Sequence, residues 1–141
     1  MAKARKFHLE VTSELSNLSV VADFVVKAAR ASGLNERQTD DVHMAVDEAV
    51  TNVMEHAYRG RSDGRILINC ERRDDEFTVE IQDFGKLFDP SKIRTPRVHG
   101  PLSRRTIGGL GIFFMKQLMD NVEFTSDVKN GNRVRMVKLI K

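Results

Sequence analysis

The chain has 141 residues, 40% of them apolar and 30% charged, which supports one compact domain with a real core (residues 1–141) and leaves too little for two. No window approaches the roughly eighteen apolar residues of a membrane span, and the basic start from Met1 to Lys6 is not followed by an apolar segment of signal-peptide length. A cytoplasmic protein with no membrane partner is therefore expected. A single cysteine, Cys70, excludes an internal disulfide and any multi-cysteine metal site.

The formal net charge of +3 is mild and does not by itself indicate nucleic acid. Its distribution is more telling. Pro90 to Met119 contains no Asp or Glu, yet Lys92, Arg94, Arg97, Arg104, Arg105 and Lys116 all fall there. An acid-free basic stretch suits a segment that meets phosphates, although a solvated loop would look the same.

In chain order, Phe7, Leu9 and Val11 alternate with polar neighbours and predict a first strand. Ser13 is placed to cap a helix in which Leu15, Leu18, Ala22, Val25 and Ala29 recur at three and four, and Ser32-Gly33 stops it. Asn35-Glu36-Arg37-Gln38 has the form of a capping box. A long helix follows, with Val42, Ala45, Ala49, Val53 and Ala57 on one side, ending near Tyr58-Arg59-Gly60.

Ile66, Ile68 and Cys70 then alternate with Leu67, Asn69 and Glu71, which makes Cys70 an inward, inert core residue. Asp74-Asp75 makes a hairpin turn into a half-buried strand with Phe77, Val79 and Ile81 inward. Residues 84–108 show no period and hold all three prolines, the mark of a functional loop. A helix from about Gly111 to Asp120 and two strands joined at Asn130-Gly131 complete the chain, the last strand losing its phase at Val137-Lys138-Leu139-Ile140. The order β-α-α-β-β-loop-α-β-β, rich in hairpins and poor in crossovers, predicts an α+β fold: a mostly antiparallel sheet with helices on one face.

Three patterns can carry chemistry. At about 100° per residue, Glu48, Asn52 and His56 form a narrow polar stripe beside the buried face of the long helix. An amide oxygen can hold a hard cation, and a carboxylate one turn away can accept a proton from a nucleophile; a helix with a solvated polar edge shows the same pattern. Asp83 ends the Phe77–Ile81 strand, where its carboxylate can accept from an exocyclic amine such as adenine N6, and Gly85 lets a base lie close to backbone. Asp-x-Gly is also a common turn. Thr106-Ile107-Gly108-Gly109-Leu110-Gly111-Ile112 precedes an apolar helix, and glycines there free the first N–H groups to meet an anion, or serve close packing. A P-loop, a dinucleotide fingerprint, a His-Glu-x-x-His metal spacing and a Gly-x-Ser-x-Gly elbow are all missing from the sequence.

These residues match a known group. Asp47-Glu48-Ala49-Val50-Thr51-Asn52-Val53-Met54-Glu55-His56-Ala57-Tyr58 resembles the N box of the GHKL ATPases, the group of gyrase, histidine kinases and MutL. Asp83-Phe84-Gly85 looks like their first glycine box and Gly109-Leu110-Gly111 their second. The small size, the Phe88-Asp89-Pro90 run and Gly108-Gly109-Leu110-Gly111-Ile112…Leu118-Met119-Asp120 are most similar to the anti-sigma-factor serine/threonine kinases of bacteria, and the resemblance covers roughly residues 8–140.

That resemblance implies a Bergerat-type two-layer sandwich enclosing ATP. Asn52 would hold Mg²⁺, Glu48 would activate the attacking hydroxyl and Asp83, with Gly85, would read adenine. Arg105, Thr106, Gly109, Leu110 and Gly111 would serve the nucleotide, with Gly109 and Gly111 near the phosphates, Arg104 or Arg105 neutralising the γ-phosphate, and the preceding loop as a lid. It further implies a homodimer that binds a sigma factor and phosphorylates a small anti-anti-sigma antagonist protein, without contacting nucleic acid directly. Two departures stand out: Leu87 takes the place of the last glycine of the first box, and Gly131-Asn132 replaces a frequent Gly-Thr pair. The box residues also suit a non-catalytic ATP-binding partner-switch module, and the charge a small nucleic-acid-binding protein; phosphotransfer and salt-sensitive DNA binding separate the three.

Overall fold

The computed structural model describes residues 5–88 and 107–140, with 107–111 as backbone only. Its elements run β1 (Arg5–Thr12), α1 (Asn17–Ala31), α2 (Glu36–Asn52) continued by a π-helical turn (Val53–Ala57), β2 (Arg65–Arg73), β3 (Glu76–Asp83), α3 (Ile107–Leu118), β4 (Asn121–Asp127) and β5 (Gly131–Leu139). The five strands form one sheet in the order β1-β2-β3-β5-β4, and every neighbouring pair is antiparallel. Two hairpins, β2–β3 and β4–β5, meet along β3 and β5. Their register sets Asp83, the last residue of β3, opposite Asn132 at the start of β5.

The inward phases of the central strands are those of the sequence pattern. Ile66, Ile68, Cys70, Phe77, Val79 and Ile81 are all buried, each large side chain among them contributing about 1.5–3 kcal/mol by leaving water. Val42, Ala45, Val46, Ala49 and Val50 of α2 join the same core. The α2 helix packs on α1 at one side and α3 at the other, and touches β3 and β5 beneath; it is thus the element best placed to carry a site at the seam between layers. Its start is a complete capping box, with Asn35 Oδ1 accepting from Gln38 N (2.8 Å) and Gln38 Oε1 accepting from Asn35 N (2.9 Å). The α1 helix stops in a Schellman turn: Gly33 takes φ +91° while Leu34 N donates to Ala29 O and Gly33 N to Arg30 O.

Three local expectations change, and one ambiguity is resolved. Ser13 does not cap α1, which begins at Asn17 with Ser16 at the cap position. Instead its hydroxyl donates to Arg61 O (2.5 Å) and accepts from Gly64 N (2.9 Å), pinning the end of β1 to the turn before β2. Leu15, outside the helix, is exposed. The last helix starts at Ile107, four residues early, so its glycines lie in its first turns and not ahead of it. The blurred phase of β5 has a cause: Lys138 takes the helix-facing phase and its Nζ donates to Asp41 Oδ2 of α2 (2.9 Å) and Leu118 O of α3 (2.5 Å). Val137 is buried but stands apart from the core cluster.

Candidate active site

The polar stripe of α2 is where the helix period predicted it, up to a point. Glu48 and Asn52 are both half-buried, one turn apart at the edge of the packed face. Among the described residues neither side chain has a hydrogen-bond partner. Burial, then the like charges of Asp47 and Glu55, raises the Glu48 carboxyl above its ordinary range. The result is a carboxylate with more than the usual appetite for a proton, beside an amide free to coordinate.

His56 does not belong to the stripe. After Asn52 the chain enters the π turn, in which Tyr58 N reaches back five residues to Val53 O (3.0 Å). The extra residue per turn shifts the phase, and His56 is exposed. The same turn aims the Ala57 carbonyl at the loop after β3, where it accepts from Lys86 N (2.8 Å).

That loop needs Gly85. A Cβ at this position would lie 2.5 Å from Ala57 O and 2.6 Å from Ala57 C. The glycine therefore lets the turn after β3 close on the end of α2, a contact of backbone with backbone. Asp83 is 2% exposed, and its Oδ1 accepts from Gly85 N (3.0 Å) and from Asn132 Nδ2 (2.8 Å). Burial raises its carboxyl above the ordinary range, and the two hydrogen bonds partly offset that. Its Oδ2 has no partner among the described residues. A buried carboxylate with one oxygen engaged and the other available is an acceptor of fixed direction.

Asn132, 3% exposed, spends its whole amide here. Nδ2 donates to Asp83 Oδ1 and to Lys86 O (2.9 Å), while Oδ1 accepts from Phe88 N (3.2 Å) and Ser126 Oγ (2.7 Å). Two acceptors on one side and two donors on the other settle which atom is nitrogen. Phe88 is further held edge-to-face on Phe124 at 5.6 Å.

Tyr58 braces the far wall. Its hydroxyl donates to Arg65 O (2.5 Å) and accepts from Phe84 N (2.8 Å), joining the start of β2 to the loop after β3. Its ring covers Gly64, where a Cβ would lie 2.5 Å from ring atoms. An open cavity of about 550 Å³ lies beyond, walled by Tyr58, Phe84 and the turn at Gly85.

The described residues thus bring Asp83, Gly85, the end of α2 and Asn132 together, with Glu48 and Asn52 further up the same helix. Gly109, Leu110 and Gly111 lie in the first turns of α3, which packs against α2. Arg104, Arg105 and Thr106 lie outside the described residues, as does most of the loop expected to act as a lid. Among the described residues no cluster of three or more His, Cys, Asp or Glu could hold a metal. An amide oxygen suits a hard cation, and the half-buried Asn52 amide has no partner among the described residues to compete for it. No helix among the described residues is long and apolar enough to cross a membrane. Sequence reasoning noted Asn132 only as a departure; an amide on the inward phase of β5, directly after a glycine, was the available signal of a buried polar hub.

The chain matches the histidine kinase-like ATPase domain family over residues 11–138. It is 37% identical over 139 residues to an anti-sigma F factor of Clostridium botulinum, covering 94% of this chain and 93% of that protein. It is 34% identical over 116 residues to the serine-protein kinase RsbW of Listeria innocua, covering 79% and 73%. Among solved structures, the RsbU and RsbW domains of a Mycobacterium tuberculosis protein superpose with a TM-score of 0.70 at 14% identity, over 96% of this chain and 32% of that one. A mycobacterial sensor histidine kinase, MprB, follows at a TM-score of 0.53 and 15% identity. The structural likenesses speak for the fold.

Proposed function

Since the chain belongs to the histidine kinase-like ATPase family, we propose that it is a Mg-ATP-dependent serine/threonine protein kinase of the anti-sigma type. In this reading it works as a homodimer in the cytoplasm, binds a sigma factor, and releases it in exchange with a small antagonist protein that it phosphorylates. Relatives with these names, matched over most of their length, support the reading. The observation that carries the chemistry is Glu48: a half-buried carboxylate with a raised proton affinity, one turn from the Asn52 amide, which has no partner among the described residues.

Magnesium ATP supplies the transferable phosphoryl group and the cation that spreads its charge. Glu48 accepts the proton of the attacking serine or threonine hydroxyl as that oxygen bonds to the γ-phosphorus and the bond to the leaving ADP oxygen breaks. Asn52 would hold the cation through its amide oxygen. Asp83 accepts from the exocyclic amine of the base, with Gly85 holding the turn that orients it. Arg105, Thr106, Gly109, Leu110 and Gly111 serve the phosphates, where the basic, acid-free stretch favours anionic groups.

The test is incubation with γ-labelled ATP, magnesium and the candidate antagonist protein. A kinase transfers label to the antagonist. Tight ATP binding with no transfer to any antagonist would instead make the domain a nucleotide-sensing partner switch.

A further inference from the structure

The Asn132 hub goes beyond the boxes that suggested a nucleotide site. Asp83 can discriminate between bases only if its carboxylate keeps one orientation, and a carboxylate at a strand end is otherwise free to turn about its Cβ–Cγ bond. Here one oxygen is held by two donors, Asn132 Nδ2 and Gly85 N, and the other is left as acceptor. The same Asn132 amide fastens Lys86 O, Phe88 N and Ser126 Oγ, so β4, β5 and the turn after β3 are tied through one side chain. A threonine hydroxyl has a single proton and cannot donate to Asp83 and Lys86 O together. The asparagine therefore couples the carboxylate to the turn in a way the more frequent Gly-Thr pair cannot.

We propose that Asn132 is the positioning residue for base selectivity: by fixing the outward oxygen of Asp83 it makes the site select 6-aminopurine nucleotides over 6-oxopurine ones. An exocyclic amine donates to that oxygen, whereas a 6-oxo group meets it acceptor to acceptor, and an acceptor buried against another acceptor is strongly disfavoured. The inference rests on the reading of Asp83 as the base acceptor.

Calorimetric titration of the full chain with Mg-ATP and with Mg-inosine triphosphate, which carries a 6-oxo group in place of the amine, reads the selectivity as an affinity ratio. The wild type favours ATP by about tenfold or more. N132A brings the ratio close to one. N132T, which keeps a donor at this position, holds it within about threefold of wild type at lower thermal stability. S126A, which removes a bond to the far side of the amide, leaves it unchanged. Should N132A not fold, N132T and N132V, nearly equal in shape, carry the same test: a ratio kept by the first and lost by the second supports the proposal, and equal ratios overturn it. A purely structural role lowers both affinities together and preserves the ratio in N132A, which also overturns it. D83A separates this inference from the reading beneath it. Selectivity lost in D83A but intact in N132A and N132V rejects the role of Asn132 alone; selectivity intact in D83A rejects both.

Discussion

The two ends of the candidate site are built on opposite plans. Where β3 meets β5, Asp83 and Asn132 are almost wholly buried and joined to each other and to four further groups. Along α2, Glu48 and Asn52 sit half-buried with no partner among the described residues. The first arrangement suits recognition, which needs acceptors of fixed direction and tolerates no slack. The second suits chemistry, which needs a carboxylate whose charged form is disfavoured enough to take a proton and an amide free to meet a cation. Changes at the α2 end should therefore act on turnover or metal, and changes at the strand end on which base is accepted and on stability.

The largest expected effect is at Glu48. E48Q keeps the shape and hydrogen-bonding reach of the side chain but cannot take a proton, so phosphotransfer falls by about a hundredfold or more while calorimetric affinity for Mg-ATP stays within a few-fold of wild type. N52A is expected to do the reverse: affinity for ATP in magnesium falls by tenfold or more (about 1.4 kcal/mol), while affinity in excess chelator changes little. Equal losses with and without magnesium would remove the cation role from Asn52.

Next comes Gly85. G85A places a methyl group 2.5 Å from Ala57 O, and because both sides of that contact are backbone the turn must move. A loss of about 1–3 kcal/mol is expected in urea denaturation, with weaker nucleotide binding as the strand end shifts. Unchanged stability would mean the turn is looser than its hydrogen bond from Lys86 N to Ala57 O implies.

A smaller effect follows from the raised Glu48 carboxyl. Since its folded value lies above the ordinary 4.5, the folded protein holds this proton more tightly than the unfolded chain does. Its contribution favours folding below the ordinary value and is lost as pH rises through the folded value. E48Q should then melt slightly higher than wild type at neutral pH, the gap closing below about pH 4.5. Smallest of all is Cys70: buried in the core with its thiol pushed up to about 12, it should resist alkylation at pH 8 until the protein is unfolded.

Much of this was legible in the sequence, for identifiable reasons. Phe77, Val79 and Ile81, like Ile66, Ile68 and Cys70, alternate cleanly because one face of each strand meets helices and the other does not. The capping box at Asn35 is a local pattern that tertiary contacts did not override. Glu48 and Asn52 lie within regular α-helix, so their spacing kept its meaning. His56 lost its place because the π turn adds a residue that no periodicity reveals. Ser13 was misread because a serine before a helix is a good cap, yet the turn at residues 61–64, far along the chain, bonds it first. Asn132 and Tyr58 make their contacts across separations of 26 to 49 residues, to Asp83, Lys86, Phe88 and Phe84, beyond any local reading.

In the proposed reading, base recognition at Asp83 and proton transfer at Glu48 are separate functions of one nucleotide site. Calorimetry with Mg-ATP on the wild type, E48Q and D83A tests it most directly. Binding by the wild type and by E48Q with similar affinity, and a loss of tenfold or more in D83A (about 1.4 kcal/mol), is the predicted result. No heat of association in the wild type at millimolar ATP, or equal affinity in all three proteins, would contradict it.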